Sequence, residues 1–175
     1  MPSKTLGLLL LYVAAAAGCS ATGKTVSVTG YIMDNLCIDM GTLLDKPQVK
    51  TLLNPELHSI HCLVDVKACV SSKYTVLAPP TGNASNLYSV AYQLDAGTTE
   101  KLQALAEAAR KAGGNQGFAA TLTGIDDGSK TLQCATIDPT VNVDGKAITV
   151  TSAGSATSLL SSLVALVAVA VVLVV

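Results

Sequence analysis

TTEKLQALAEAARKAGG (residues 98–114) is the stretch that decides how this chain is to be folded. Leu102, Leu105, Ala106 and Ala109 recur at helical spacing and share one face, Thr98 or Thr99 can cap the start, and Gly113-Gly114 ends the run. The pattern predicts a helix over Glu100 to Ala112, and the segments on both sides of it read as strands. Upstream, Thr25 to Met33 (TVSVTGYIM) alternates β-branched and small residues. Tyr74 to Ala78 and Leu87 to Leu94 supply two more strands, parted by the turn Pro79-Pro80-Thr81-Gly82-Asn83. Downstream, Phe118 to Ile125 and Lys130 to Ile137 flank Asp126-Asp127-Gly128-Ser129, a good hairpin turn.

Three strands, one helix and two more strands is the order of a small OB-like, five-stranded barrel. The fold class expected is therefore mainly β, with the helix between strands 3 and 4 plugging the open end through Leu102 and Leu105. A long insertion between strands 1 and 2 carries three cysteines and both histidines. Within it, Asp45 can cap a short helix over Pro47 to Leu53, and Asn54-Pro55-Glu56 looks like a second helix start running through Asp65. The domain expected spans residues 25–138. After Pro139 the composition loosens into a stalk (139–154), although Ala147 to Val150 could add one edge strand.

Both ends read as processing signals. Lys4, the apolar run Leu6 to Ala17 and the small residues Gly18 to Gly23 have the order of a secretory signal peptide, taken as residues 1–21. Cleavage after Gly18, Ala21 or Gly23 would leave a small residue at the cut. Ala16-Ala17-Gly18-Cys19 also partly resembles a bacterial lipoprotein cleavage box, but lacks the usual Leu three residues before the Cys. At the other end, small residues around Ser152 and Gly154, a polar spacer and the tail LVALVAVAVVLVV (163–175) are the three parts of a GPI-attachment signal. Residues 155–175 would then be removed and the product held at the outer face of the plasma membrane. The alternative is a single-pass protein with a C-terminal transmembrane helix. Asn83-Ala84-Ser85 is a glycosylation sequon in a turn.

Composition excludes some classes of function. Loss of Lys4 leaves ten Lys and Arg against 12 Asp and Glu, and aromatics are only 3% of the chain. No basic cluster or stacking platform for nucleic acid is present. Gly18-Cys19-Ser20-Ala21-Thr22-Gly23-Lys24-Thr25 matches the phosphate-binding loop G-x-x-x-x-G-K-[ST]. That loop requires a helix immediately afterwards, and a strand follows.

The motifs resemble a group of small exported bacterial domains of unknown function. Those open with V-T-G, a short strand and D-x-x-C, as in Val28-Thr29-Gly30-Tyr31-Ile32-Met33-Asp34-Asn35-Leu36-Cys37. They continue through a His, here His58 or His61, to a C-V…K-Y-x-L segment resembled by Cys69-Val70-Ser71-Ser72-Lys73-Tyr74-Thr75-Val76-Leu77. They close with a V-T-G…D-G hairpin similar to Leu122-Thr123-Gly124-Ile125-Asp126-Asp127-Gly128. The resemblance covers roughly residues 26–137 and implies the barrel, but no activity. The long Asp39 to Glu56 segment and the wide Cys62 to Cys69 spacing depart from it.

Beyond the signal region lie Cys37, Cys62, Cys69 and Cys134. An even number in an exported chain implies two disulfides, Cys37 with Cys62 or Cys69 and the remaining one with Cys134. If Cys19 survives cleavage, one thiol is left over. The competing reading is a metal site: on a continuous helix over Pro55 to Asp65, His58, His61 and Cys62 share one face and could ligate zinc or copper, with Cys37 or Cys69 completing the shell. Asp34 reads more simply as a strand-end residue bonding nearby backbone N–H groups. No nucleophile elbow, H-E-x-x-H or haem-attachment motif is present, so no catalytic residues are assigned and the chain is read as a binding or structural module.

Overall fold

The computed structural model describes residues 19–81 and 86–150. Its frame is β1 (Lys24–Asp34), an 11-residue strand that serves two partners. Lys24 to Tyr31 pair antiparallel with β4 (Ala119–Asp126), and Ile32 to Asp34 pair antiparallel with β2 (Tyr74–Ala78). The change of partner occurs beside Gly30, where a Cβ would lie 1.7 Å from the Leu77 carbonyl oxygen. Only glycine lets the two backbones cross so closely.

The sheet runs β3-β2-β1-β4-β6-β7, with β5 (Gln133–Ile137) also on β4 and β3 (Ser89–Gln93) at one edge. It has seven strands and does not close into a five-stranded barrel. Between β3 and β5 the gap is spanned by one parallel bridge, Gln93 to Thr131. There Gln93 N–H donates to the Lys130 carbonyl at 2.8 Å, and Leu132 N–H to the Gln93 carbonyl at 3.1 Å. The two extra strands are β6 (Thr140–Val143) and β7 (Lys146–Thr149), a hairpin where a stalk was expected. Asp144 and Gly145 turn it with positive φ values of 52° and 71°, as a two-residue hairpin turn requires. Val141 and Val143 are buried in the main core with Phe118, Leu122 and Leu132, so this segment belongs to the domain.

α4 (Ala96–Lys111) stands between β3 and β4 and begins a turn earlier than its periodicity suggests. Its cap is Asp95, whose Oδ1 accepts from Thr98 N–H at 2.6 Å, and Thr98 and Thr99 are buried inside the helix. The buried stripe is Leu102, Ala106 and Ala109. Leu105 packs at its margin and is only partly buried, contrary to the expectation of equal burial. Among the described residues no helix is long and apolar enough to cross a membrane.

The insertion between β1 and β2 holds α1 (Asn35–Met40), a 3-10 turn (Pro55–Leu57), α2 (Ile60–Val64) and α3 (Lys67–Ser71). The helix expected over Pro47 to Leu53 does not form. Thr42 bridges Lys50 instead, and the intervening backbone closes turns on itself. The continuous helix expected from Pro55 to Asp65 is broken at His58 and Ser59, which are extended (ψ 127° and 145°). Tertiary bonds take over there: Gly117 N–H donates to the His58 carbonyl at 2.9 Å and Ile60 N–H to the Asn115 carbonyl at 2.8 Å. Ser59 Oγ then caps α2 by accepting from Cys62 N–H.

Cys19 is disulfide-bonded to Cys134 on β5. That corrects the expected link from Cys134 to Cys62 or Cys69, and it leaves Cys37, Cys62 and Cys69 as buried free thiols.

Candidate functional site

The three free thiols converge on the end of β1. Asp34 closes that strand and caps α1, its Oδ1 accepting from Cys37 N–H at 2.8 Å, as its strand-end position suggested. The cap places Cys37 in the first turn of α1, facing inward. α3 is locked beside α1 by Leu36 N–H donating to Ser72 Oγ (3.0 Å) and Asn35 Nδ2 to the Ser72 carbonyl (2.9 Å). That contact delivers Cys69. α2 delivers Cys62, and the extended link before α2 delivers His58. Asp34, Cys37, Cys62 and Cys69 have no exposed surface, and His58 is 1% exposed.

An oxygen of Asp34 and the sulfurs of Cys37 and Cys69 all lie within 4.8 Å of one another. Cys37, His58 and Ser59 all act on the Cys62 thiol, and Asp34 and Cys62 act on Cys69. His58 Nε2 is 2.8 Å from Asp34 Oδ2. Its other ring nitrogen, Nδ1, has no hydrogen-bond partner, and it is the one buried side-chain polar atom in that condition among the described residues.

Electrostatics make the cluster one coupled unit. Burial opposes the Asp34 charge, but the His58 bond and the Cys37 N–H hold its carboxyl below the usual range. Burial likewise opposes charge on His58, and the Asp34 bond followed by Cys62 lifts the imidazole to about 9. A hydrogen bond from Cys37, aided by His58 and Ser59 against burial, lowers Cys62 to about 4. Cys37, as the donor in that pair and itself buried, is pushed up. Cys69 rises to about 12, through burial first and the nearby Asp34 charge second.

Of the ligand trio expected from sequence, His58 and Cys62 are brought together and His61 is not. His61 is 63% exposed on its side chain and binds Asp65 Oδ2 through Nδ1 at 2.8 Å, where Arg110 also binds at 2.5 Å. The break at His58 and Ser59 is the reason, since it sets the two imidazoles on different backbone segments. Cys37 and Cys69 both join the cluster. Asp34 is the member that residue types alone under-rated; its signal was the D-x-x-C spacing at a strand end. Lys24 and Thr25 lie in β1, so no helix N-terminus follows the phosphate-loop-like segment. Asn83, Ser152 and Gly154 lie outside the described residues.

Asp34, His58 and Cys62 follow the order of an acid, a base and a nucleophile, but a buried sulfur offers no approach to a substrate. Two surface grooves, of about 510 Å³ beside Cys19, Lys101 and Cys134 and about 200 Å³ beside Thr29, Thr121 and Val141, contain none of the five residues. Three thiols, one unpartnered imidazole nitrogen and a carboxylate, all buried, instead suit a thiophilic cation. No protein-family model, no curated protein and no solved structure matches the chain.

Proposed function

We propose that this chain is an exported, membrane-tethered binding module whose cargo is a single thiophilic metal ion, zinc or copper, held by the Asp34, Cys37, His58, Cys62 and Cys69 cluster. The observation carrying this reading is three buried free thiols around Asp34, two of them within 4.8 Å of it, together with the Asp34-bonded His58, whose buried Nδ1 has no partner. Cysteine parity also bears on it. With Cys19 bonded to Cys134, the remaining three cannot all pair, so the argument from even numbers for complete disulfide bonding lapses. Export and tethering, by a GPI anchor or a terminal helix at the outer face of the plasma membrane, rest on the two apolar ends of the sequence. The strand ring with α4 between β3 and β4 is read as an OB-like arrangement left open between β3 and β5.

The second reading, a structural disulfide between Cys37 and Cys62, is favoured by the opposite shifts that these two thiols impose on each other as neighbours. Elemental analysis and non-reducing mass mapping of the protein displayed by its host cell separate the two. One equivalent of zinc or copper with three alkylatable thiols is the expected result. A metal-free protein with Cys37 bonded to Cys62 or Cys69 would replace the metal reading with the disulfide one.

A further inference from the structure

We infer that the ion is four-coordinate zinc, bound by the sulfurs of Cys37, Cys62 and Cys69 and by Nδ1 of His58, with Asp34 outside the coordination shell as the residue that positions His58. The inference rests on the metal-binding reading above and assigns that ion's identity and ligands. Its first support is the division of labour on the imidazole. Nε2 is committed to Asp34 Oδ2 at 2.8 Å, whereas Nδ1 is buried and has no partner. A metal-binding histidine characteristically donates its other N–H to a carboxylate, which fixes the ring and the tautomer.

The second support concerns Asp34. By proximity alone it would be a ligand, because it forms the tightest trio with Cys37 and Cys69. Both of its oxygens are already engaged, however, Oδ2 by His58 and Oδ1 by the Cys37 amide. Direct coordination would compete with the cap that aims Cys37 inward, while the orienting role uses both bonds as they stand.

Third, the donor set suits zinc. Sulfurs about 3.8 Å apart follow from tetrahedral bonds of ~2.3 Å; the Cys37 and Cys69 sulfurs lie within 4.8 Å of each other, and Cys62 and His58, which stand outside that tight trio, would close on the ion as it binds. Thiolates discriminate against magnesium, calcium and manganese, and a tetrahedral sulfur-rich set does not suit the tetragonal preference of Cu(II). Four buried protein donors would leave no open position, the hallmark of a structural rather than a catalytic zinc. Binding displaces the protons that the thiols still carry, and from a charged imidazole the Nδ1 proton, while the Nε2–H stays on His58 and is donated to Asp34. The ion thereby ties the end of β1 to α1, α2 and α3.

The test uses the full secreted chain with Cys19–Cys134 intact, stripped by chelator without reductant and reloaded with zinc. X-ray absorption should show three sulfurs near ~2.3 Å and one nitrogen near ~2.0–2.1 Å. Asp34→Asn, which preserves capping, should still bind one zinc in the same shell with affinity lower by about 10–100-fold. His58→Ala should lose the nitrogen scatterer, and His61→Ala should bind zinc within about twofold of the parent chain, as expected of an exposed residue outside the site. A carboxylate oxygen in the wild-type shell, or copper retained in preference to zinc, would overturn this assignment and leave metal binding standing. Failure of wild-type protein to bind any ion would remove both. The wild-type absorption spectrum decides the ligand set even if a variant fails to fold.

Discussion

Adding one methyl group at Gly30 would place it 1.7 Å from the Leu77 carbonyl oxygen, inside a backbone crossing that no rotamer change can relieve. Gly30→Ala should therefore cost more than about 3 kcal/mol, at the upper end of overpacking effects, read as a lowered urea midpoint. Four residues further on, the Asp34–His58 pair sets a pH dependence for the metal-free protein. His58 is raised in the folded state to about 9, so its contribution is complete below the unfolded value of ~6.5 and fades as pH rises through 9. Asp34 is lowered, so its contribution is complete above an unfolded value of ~3.9 and is lost as pH falls through the depressed one. The pair should thus support the stripped protein most between about pH 4 and 6.5. Because the lowered Cys62 thiol acts in the opposite sense over the same range, the pair is read as a difference: the melting-temperature advantage of the parent chain over Asp34→Asn should shrink from pH 6.5 to 9, and a constant difference would show that the pair does not carry it.

At the scale of elements, α4 shows how far periodicity reads. Its existence and its Leu102, Ala106 and Ala109 stripe follow from spacing alone, whereas its true cap, Asp95, lies a turn before the threonines that looked more suitable. Leu102→Ala should cost about 2–5 kcal/mol as a fully buried truncation. Leu105→Ala should cost clearly less because that side chain is only partly buried, and chemical denaturation of both variants gives the comparison. β1, β2, β4 and β5 were legible from alternating and β-branched residues because their pairing partners reward the same pattern. The β6–β7 hairpin carried a signal too, Asp144-Gly145 between Val141 and Val143 on one side and Ile148 and Val150 on the other, but the run of Thr, Asn and Ala around it read as a stalk. The break before α2 was not legible. It is imposed by Asn115 and Gly117, more than 50 residues away, and no local rule anticipates those bonds. That one break separates His61 from the cluster, so of the trio expected on one helix face only His58 and Cys62 lie in the buried segment.

For the whole molecule, the bond from Cys19 to Cys134 joins the start of the described chain to β5, across a sequence separation of 115 residues. Closing so long a loop restricts the unfolded chain strongly, by roughly 4–5 kcal/mol in the chain-entropy model, although engineered and native cases scatter between about 0 and 5. Cys134→Ser should therefore lower stability by about 2–5 kcal/mol without releasing metal, because none of the five cluster residues is part of that bond. Under the proposed export, the same bond constrains where the signal is cut. Cleavage after Ala21 or Gly23 would discard Cys19 and strand Cys134 as an exposed thiol, while cleavage after Gly18 retains the pair. A lipid on the Cys19 sulfur is likewise incompatible with a disulfide at that atom. N-terminal sequencing of the displayed protein should begin at or before Cys19, and its intact mass should lack an acyl-glyceryl addition. A chain beginning at Thr22 or Lys24, with Cys134 open to alkylation, would show that the domain is held at this end by the β1–β4 pairing alone.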